Sequence, residues 1–176
     1  MGNLKLAAGV EIPAIEVAKL GGGKIQLGKT EGSFPWQMVV VYRGKHCPLC
    51  TKYLRELNVL LPRYHEEGVY VTAVSADSAE KASEQMKEVK PDFPIGYNLS
   101  IPQMQQLGVY ISNPRSPEET DKPFAEPGIF VINEAGKLQI VDISNAPFAR
   151  PDLQTLLMGI EFIRNPENNY PIRGAY

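Results

Sequence analysis

The chain has 176 residues, 43% of them hydrophobic and 22% charged, which is typical of a globular protein with one domain of the usual ~100 to 200 residues. Its net charge of −2 leaves no basic excess to neutralise a phosphate backbone, so nucleic acid is not an expected partner. No apolar run approaches the ~20 residues that cross a bilayer, and the N-terminus lacks the apolar core of a secretory signal, so we expect a cytoplasmic protein that does not enter a membrane.

Glycine and proline divide the sequence into short segments whose apolar patterns predict alternating strands and helices. An irregular N-terminal extension is predicted over about residues 1–23. The predicted elements that follow, in chain order, are a short edge strand at 24–27, a denser strand at 36–42, a helix from Cys47, a buried strand at 69–75, a helix ending near Val89, a short segment at 95–98, a helical turn at 102–107, strands at 128–133 and 137–143, and a helix at 151–164. Pro62 is expected to kink or end the first helix.

The order of these elements predicts an α/β fold. The turn at 134–136 joins the last two strands into an antiparallel hairpin, whereas the run at 69–75 has the β-branched composition of a covered parallel strand. We therefore predict a central mixed β-sheet with helices on both faces, in a single domain that spans residues 1–176.

The segment Cys47-Pro48-Leu49-Cys50 lies where a predicted strand gives way to a helix. Cys47 falls at the N-cap and Pro48 at the first helical position, where its missing N–H costs nothing. The unpaired amides and the positive end of the helix dipole favour a thiolate there, which can lower a cysteine pKa to ~3.5 to 7.5. Cys47 is thus the candidate nucleophile, and Cys50, one helical turn further on, is the candidate resolving thiol.

Other interpretations of the two cysteines find less support in the sequence. They could be small apolar core residues, as free cysteines often are. A zinc site would need more ligands than His46 and His65 can add, and covalent haem attachment would require histidine where Thr51 stands. We therefore expect no metal and no other cofactor. His46 could instead polarise the neighbouring thiol.

Five segments, in this order along the chain, resemble the peroxiredoxins of the alkyl hydroperoxide reductase C and thiol-specific antioxidant type. They are VVVYRGKHCP at 39–48, VSADS at 74–78, LGV at 107–109, PGIFVINEAG at 127–136 and ARPDLQTL at 149–156. The resemblance implies a thioredoxin-like fold and a thiol peroxidase that reduces hydrogen peroxide or alkyl hydroperoxides without a prosthetic group. It also implies a thioredoxin- or glutaredoxin-type dithiol reductant and is compatible with a homodimer.

The resemblance also implies roles for individual residues. Cys47 would attack the peroxide and then form an intramolecular disulfide with Cys50. Pro127 would be the cis-proline that flanks the thiol, and Arg150 would be the arginine whose guanidinium reaches the catalytic sulfur. Together with His46, Pro127 would border the substrate.

The sequence departs from the peroxiredoxin pattern around the cysteines. Gly44, in the substrate-binding loop, stands where these proteins usually have a threonine or serine, so a hydroxyl that orients the peroxide is missing. Cys50 replaces a common glutamate, which makes the segment similar to the disulfide loop of thioredoxins, yet the strand at 36–42 lacks their buried acid. Two alternatives therefore stay open: a thioredoxin-like protein disulfide oxidoreductase, and a redox-inactive thioredoxin-fold binding domain.

Overall fold

A seven-stranded sheet forms the centre of the computed structural model, which describes residues 4–30 and 32–176. The strands of the described residues are β1 (Ile15–Lys19), β2 (Lys24–Leu27), β3 (Trp36–Val41), β4 (Val69–Val74), β5 (Ile95–Tyr97), β6 (Ile111–Ser112), β7 (Phe124–Ala125), β8 (Gly128–Ile132) and β9 (Leu138–Ile143). The α-helices are α1 (Pro48–Glu66), α2 (Ala79–Val89), α3 (Ile101–Leu107) and α4 (Leu153–Arg164).

The central sheet is mixed, as predicted. Its strand order is β2-β1-β5-β4-β3-β8-β9. Strand β3 pairs in parallel with β4 and antiparallel with β8, and β8 and β9 form the predicted hairpin. Every residue of β3 is buried, which explains its continuous apolar pattern, since a strand covered on both faces has no solvent side.

Alternate residues of β3 contribute to two cores on opposite faces of the sheet. Met38 and Val40 pack with residues of α1, α2 and α4. Val39 and Val41 pack on the other face, together with Leu107 of α3. Because helices cover both faces, the prediction of a central sheet flanked by helices is confirmed. No helix in residues 4–30 and 32–176 is long and apolar enough to span a bilayer.

The N-terminal segment is more regular than predicted. Strand β1 lies within residues 1–23 and forms an antiparallel hairpin with β2 through the glycine turn at 21–23. Only Ile15 and Val17 of β1 are buried, and charged or small residues alternate with them. This alternation is too short to predict a strand by itself, and its pairing with β2 and β5 supplies the stability. The predicted edge strand at 24–27 is confirmed.

Helix α1 does not end at Pro62, one of the two outcomes predicted for this proline, because Pro62 lies inside it and the helix ends at Glu66. Proline removes one backbone hydrogen bond. However, Leu61 and Tyr64 on either side of Pro62 are buried, and the Tyr64 hydroxyl donates a hydrogen bond of 2.7 Å to the carbonyl of Leu153. Packing of this last turn against α4 therefore maintains the helix past the proline.

Candidate active site

Cys47 lies at the junction between β3 and α1, close to the middle of the sheet. Its backbone is extended (φ −111°, ψ 99°), and it is the N-cap of α1, with Pro48 in the first turn. Its Sγ accepts a hydrogen bond of 3.2 Å from the backbone N–H of Cys50. The predicted N-cap position of Cys47 is confirmed, and its sulfur takes the role that a serine or aspartate oxygen takes in ordinary helix caps.

The surroundings of Cys47 favour its thiolate and lower its pKa to about 6. The largest cause is the hydrogen bond that the Cys50 thiol donates to the Cys47 sulfur, and burial opposes it. The backbone N–H of Cys50 and the side chain of Arg43 lower the pKa further. At neutral pH these surroundings therefore favour the thiolate of Cys47 over the thiol.

Cys50 has the opposite character. It is fully buried one turn into α1, and burial raises its pKa above the ordinary value, followed by the hydrogen bond to Cys47. The positive charge of Arg150 acts in the other direction. Both cysteines are free thiols. The surroundings thus favour the thiolate at Cys47 and the protonated thiol at Cys50.

Arg43 is a charged residue at the end of β3, beside Cys47. Its Nε lies 3.2 Å from Oε2 of Glu126, an ion pair whose angle is not that of a hydrogen bond. The guanidinium stacks over the ring of Phe124 at 4.8 Å. Glu126 also accepts a hydrogen bond of 2.7 Å from the Ser112 hydroxyl. Arg43 is therefore held in place from two sides, next to the thiolate.

Arg150 contacts a different sulfur from the one predicted. Its Nη1 lies 3.5 Å from Sγ of Cys50, whereas the resemblance implied a contact with Cys47. The guanidinium stacks at 4.1 Å over the ring of Tyr53, and its Nε donates a hydrogen bond of 2.8 Å to the carbonyl of Pro147. Tyr53 lies one turn beyond Cys50 on α1, so this stacking places Arg150 at the deeper sulfur.

His46 packs against an aromatic ring. Its imidazole lies 4.4 Å from the ring of Phe124 in an edge-on arrangement, and both of its nitrogens are buried and lack a hydrogen-bond partner in the described structure. Burial lowers the pKa of His46, and the charge of Arg43 lowers it further. These effects favour the neutral imidazole of His46, and no hydrogen bond joins it to Cys47 among the described residues.

Gly44 shapes the loop before Cys47. Its φ of +131° lies in the region that favours glycine, and a Cβ at this position would lie 2.6 Å from Oδ2 of Asp77. The same oxygen accepts a hydrogen bond of 2.7 Å from the backbone N–H of Lys45. The loop thus wraps around a buried carboxylate, a contact that requires glycine.

Pro127 lies beside this loop, but its peptide bond is trans and the prediction of a cis-proline is wrong. Strands β7 and β8 lie on either side of it in the chain, and the trans form is the isomer of lower energy for a bond before proline. Gly128, the next residue, pairs with Val41 at the end of β3, which places Pro127 near the start of the loop to Cys47.

A cavity of about 420 Å³ opens on the His46 side of the site. Most of the residues that line it have polar or charged side chains, and they include Asp77, Lys81 and the loop segment 117–121 in addition to His46. Neither cysteine lines this cavity, and Cys47 is only 2% exposed. A reactant can therefore reach Cys47 over only a small part of its surface.

Comparison with known proteins identifies the family of this fold and site. The sequence model of the AhpC/TSA family matches residues 8–141, most of the chain. The chain belongs to the AhpC/TSA family. A mutant of peroxiredoxin 6 from Arenicola marina superimposes with a TM-score of 0.78 at 19% identity, covering 92% of this chain and 75% of that one. The prediction of a thioredoxin-like fold is thereby confirmed.

Two curated relatives of this chain have different names and are similar to different lengths of it. The thiol-disulfide oxidoreductase ResA of Bacillus cereus is 28% identical over 135 residues, which cover 76% of this chain and 68% of ResA. A probable 1-Cys peroxiredoxin of Syntrichia ruralis is 24% identical over 111 residues, which cover 60% of this chain and 50% of that protein. With the family, they confirm the prediction of an oxidoreductase.

Arg43 and Glu126 are the residues of this AhpC/TSA site that sequence analysis missed. The structure brings together the predicted residues Cys47, Cys50 and Arg150. It also places the buried ion pair of Arg43 and Glu126 beside them. The signal was present, because Arg43 follows an apolar strand directly and Glu126 stands immediately before the apolar run of β8. A charge at the end of a buried strand is costly unless it is paired, which points to a partner.

Proposed function

We propose that the protein is a thiol peroxidase that reduces hydrogen peroxide or alkyl hydroperoxides. The Cys47 thiolate attacks one peroxide oxygen, the O–O bond breaks, and the other oxygen leaves as water or an alcohol after taking a proton. Cys47 becomes a sulfenic acid. The Cys50 sulfur then forms a bond with the Cys47 sulfur and water is released, and an external dithiol reduces the resulting disulfide.

One observation carries this proposal: Cys47 is almost fully buried at the N-cap of α1, where its Sγ accepts the backbone N–H of Cys50, the second thiol of the pair. Attack on a disulfide requires a protein partner to bring its sulfur into line with the thiolate. A sulfur that is 2% exposed is reached more readily by a molecule as small as a peroxide. The guanidinium of Arg43 is the group beside Cys47 that can stabilise negative charge developing on the peroxide oxygens.

The test follows each thiol separately. Reduced wild type, Cys47→Ser and Cys50→Ser are mixed with hydrogen peroxide or an alkyl hydroperoxide, and the loss of thiols is followed by mass spectrometry. We expect fast consumption by the wild type and none above background by Cys47→Ser. Cys50→Ser should accumulate a sulfenic acid at Cys47 that a nucleophilic dione captures. Undiminished turnover by Cys47→Ser would refute the proposal.

A second candidate function is protein disulfide oxidoreduction, which the Cys47-Pro48-Leu49-Cys50 segment and the similarity to ResA favour. It is distinguished by reduction of insulin disulfides in the presence of a reductant. Slow reaction with peroxides combined with fast insulin reduction would support this function over the first. Absence of both reactions would support the redox-inactive binding domain.

The reductant, the location and the oligomeric state complete the proposal. We take a thioredoxin- or glutaredoxin-type dithiol as the electron donor, because the disulfide between Cys47 and Cys50 is of the kind that dithiols reduce. Two cysteines in a domain large enough to bury a hydrophobic core are not the disulfide framework of a small secreted protein, which supports a cytoplasmic location and a role in redox homeostasis. Fractionation of cells and sedimentation of the reduced protein test the location and a homodimer.

A further inference from the structure

The two active-site sulfurs are each accompanied by an arginine, and the two arginines differ in how their charge is compensated. Arg43, beside Cys47, forms an ion pair with the buried Glu126. Arg150, beside Cys50, forms no ion pair with any carboxylate among the described residues, and its Nη1 is directed to the Cys50 sulfur at 3.5 Å. A positive charge without a partner stabilises a neighbouring anion more than a compensated one does.

Arg150 is also rigidly held. Its Nε donates to the carbonyl of Pro147, and its guanidinium lies flat on the ring of Tyr53. The Tyr53 hydroxyl in turn donates a hydrogen bond of 2.7 Å to the carbonyl of Pro151, the residue after Arg150. The arginine is thus fixed to the same face of α1 that carries Cys50, and reaching Cys47 would require breaking these contacts.

We propose that Arg150 is a catalytic residue of the two steps at Cys50: it stabilises the Cys50 thiolate when the disulfide closes and again when the disulfide is reduced, whereas Arg43 serves the attack by Cys47. The proposal rests on the thiol chemistry proposed above. It assigns the two guanidinium groups to two successive steps of one cycle, and it explains how a sulfur as deeply buried as Cys50 can lose its proton.

Closure and reduction both place negative charge on Cys50. In closure, the Cys50 thiol loses its proton and its sulfur bonds to the Cys47 sulfur of the sulfenic acid. The S–O bond breaks at the same time, and the hydroxide that leaves takes up the proton to form water. In reduction, a thiolate of the dithiol bonds to the Cys47 sulfur and the S–S bond breaks, leaving the electron pair on Cys50. The second dithiol sulfur then displaces Cys47 as a thiolate.

The test compares Arg150→Met with a matched control, Arg164→Met. Arg164 also stacks on an aromatic ring, that of Trp36 at 5.2 Å, and donates to a backbone carbonyl, but it lies on α4 away from both cysteines. Reduced protein is mixed with hydrogen peroxide, quenched with an alkylating reagent at intervals and analysed by mass spectrometry. The masses distinguish dithiol, sulfenic acid and disulfide, so the two rates are measured separately.

For Arg150→Met we expect the rate of Cys47 oxidation to stay within about twofold of the wild-type rate. The rate of disulfide closure should fall by about tenfold to a hundredfold, which corresponds to the loss of a hydrogen bond to a charged group. The sulfenic acid should accumulate. The pH midpoint of closure should rise, and Arg150→Lys should restore part of the rate because it keeps the charge. Arg164→Met should match wild type in both steps. Slower oxidation with unchanged closure in Arg150→Met would overturn the proposal and assign Arg150 to Cys47.

A second measurement keeps the proposal testable if peroxide proves not to be the substrate. The disulfide is formed with diamide, and its reduction by dithiothreitol is followed in wild type and Arg150→Met. Reduction should be about tenfold slower in the variant, because the leaving thiolate has lost its hydrogen-bond donor. Normal reduction kinetics in the variant would refute the role of Arg150, whereas absence of peroxide reaction in wild type would refute only the peroxidase.

Discussion

Replacement of Cys50 tests the largest cause of the low Cys47 pKa. Cys50→Ala removes the thiol that donates to the Cys47 sulfur, whereas Cys50→Ser keeps a donor in the same place. A hydrogen bond to a charged group contributes ~1.5 to 3 kcal/mol, and one pKa unit corresponds to ~1.4 kcal/mol. We therefore expect the Cys47 pKa to increase by about one to two units in Cys50→Ala, from about 6 to between about 7 and 8. In Cys50→Ser it should stay near about 6.

The assay is direct because each variant contains a single cysteine. Ultraviolet absorbance of the thiolate and the rate of alkylation by iodoacetamide are measured across pH, with Cys47→Ser as the baseline. The thiolate fraction at neutral pH should fall from about nine tenths to between about a half and a tenth in Cys50→Ala. The rate of reaction with peroxide should fall in the same proportion, since only the thiolate reacts.

Two results would refute this reasoning, and they differ in what they imply. If Cys47 titrates near a pKa of about 6 in both Cys50→Ala and Cys50→Ser, the Cys50 thiol does not contribute to the low Cys47 pKa. The backbone amides at the helix N-terminus are then sufficient to lower it. If both variants titrate near the ordinary value of 9.0, the N-cap position itself fails to stabilise the thiolate.

Three further predictions concern stability. The free energy of unfolding of the reduced protein should rise as the pH increases from about 6 to 9.0, because folding lowers the Cys47 pKa, and this contribution should be absent below about 6, where the folded and unfolded states both hold the proton. Cys47→Ser should lack this component in denaturant titrations. Glu126→Ala leaves Arg43 without its carboxylate and should lower the free energy of unfolding by about 3 kcal/mol, measured with urea; a loss under about 1 kcal/mol would indicate a well-hydrated pair. Gly44→Ala forces a methyl group against Asp77 at a φ of +131° and should cost about 1 to 3 kcal/mol, so an unchanged melting temperature would contradict the loop geometry.

The parts of this protein that sequence analysis predicted are those that local chemistry determines. The buried strand β3 and the repeating apolar residues of α1 follow from contiguous patterns, and the hairpin of β8 and β9 follows from its turn at 134–136. The position of Cys47 at the N-cap was predictable for the same reason, since a strand ending and proline at the first helical position mark a helix start within a few residues.

The parts that it missed depend on contacts between distant segments. No local pattern pairs Arg43 with Glu126, because the two residues meet only when β3 and the segment before β8 come together. Arg150 lies at Cys50 and not at Cys47 because its guanidinium stacks on Tyr53, which is one helical turn beyond Cys50 on α1. The motif at 149–156 indicates that an arginine comes near the cysteines, but it does not contain the information about which sulfur it contacts.

The loop before Cys47 also gives a physical reason for the missing hydroxyl. The backbone of Gly44 lies directly on the Asp77 carboxylate, which in turn accepts the Lys45 N–H, so any side chain at position 44 would displace this buried acid. A threonine or serine is therefore incompatible with this loop geometry. Orientation of a peroxide at Cys47 must then come from groups that remain at the site, and of these the Arg43 side chain has both the position and the donors. Under the proposed function, the arginine at the end of β3 would thus supply a charged hydrogen-bond donor in place of a neutral one, and its pairing with Glu126 would moderate its strength.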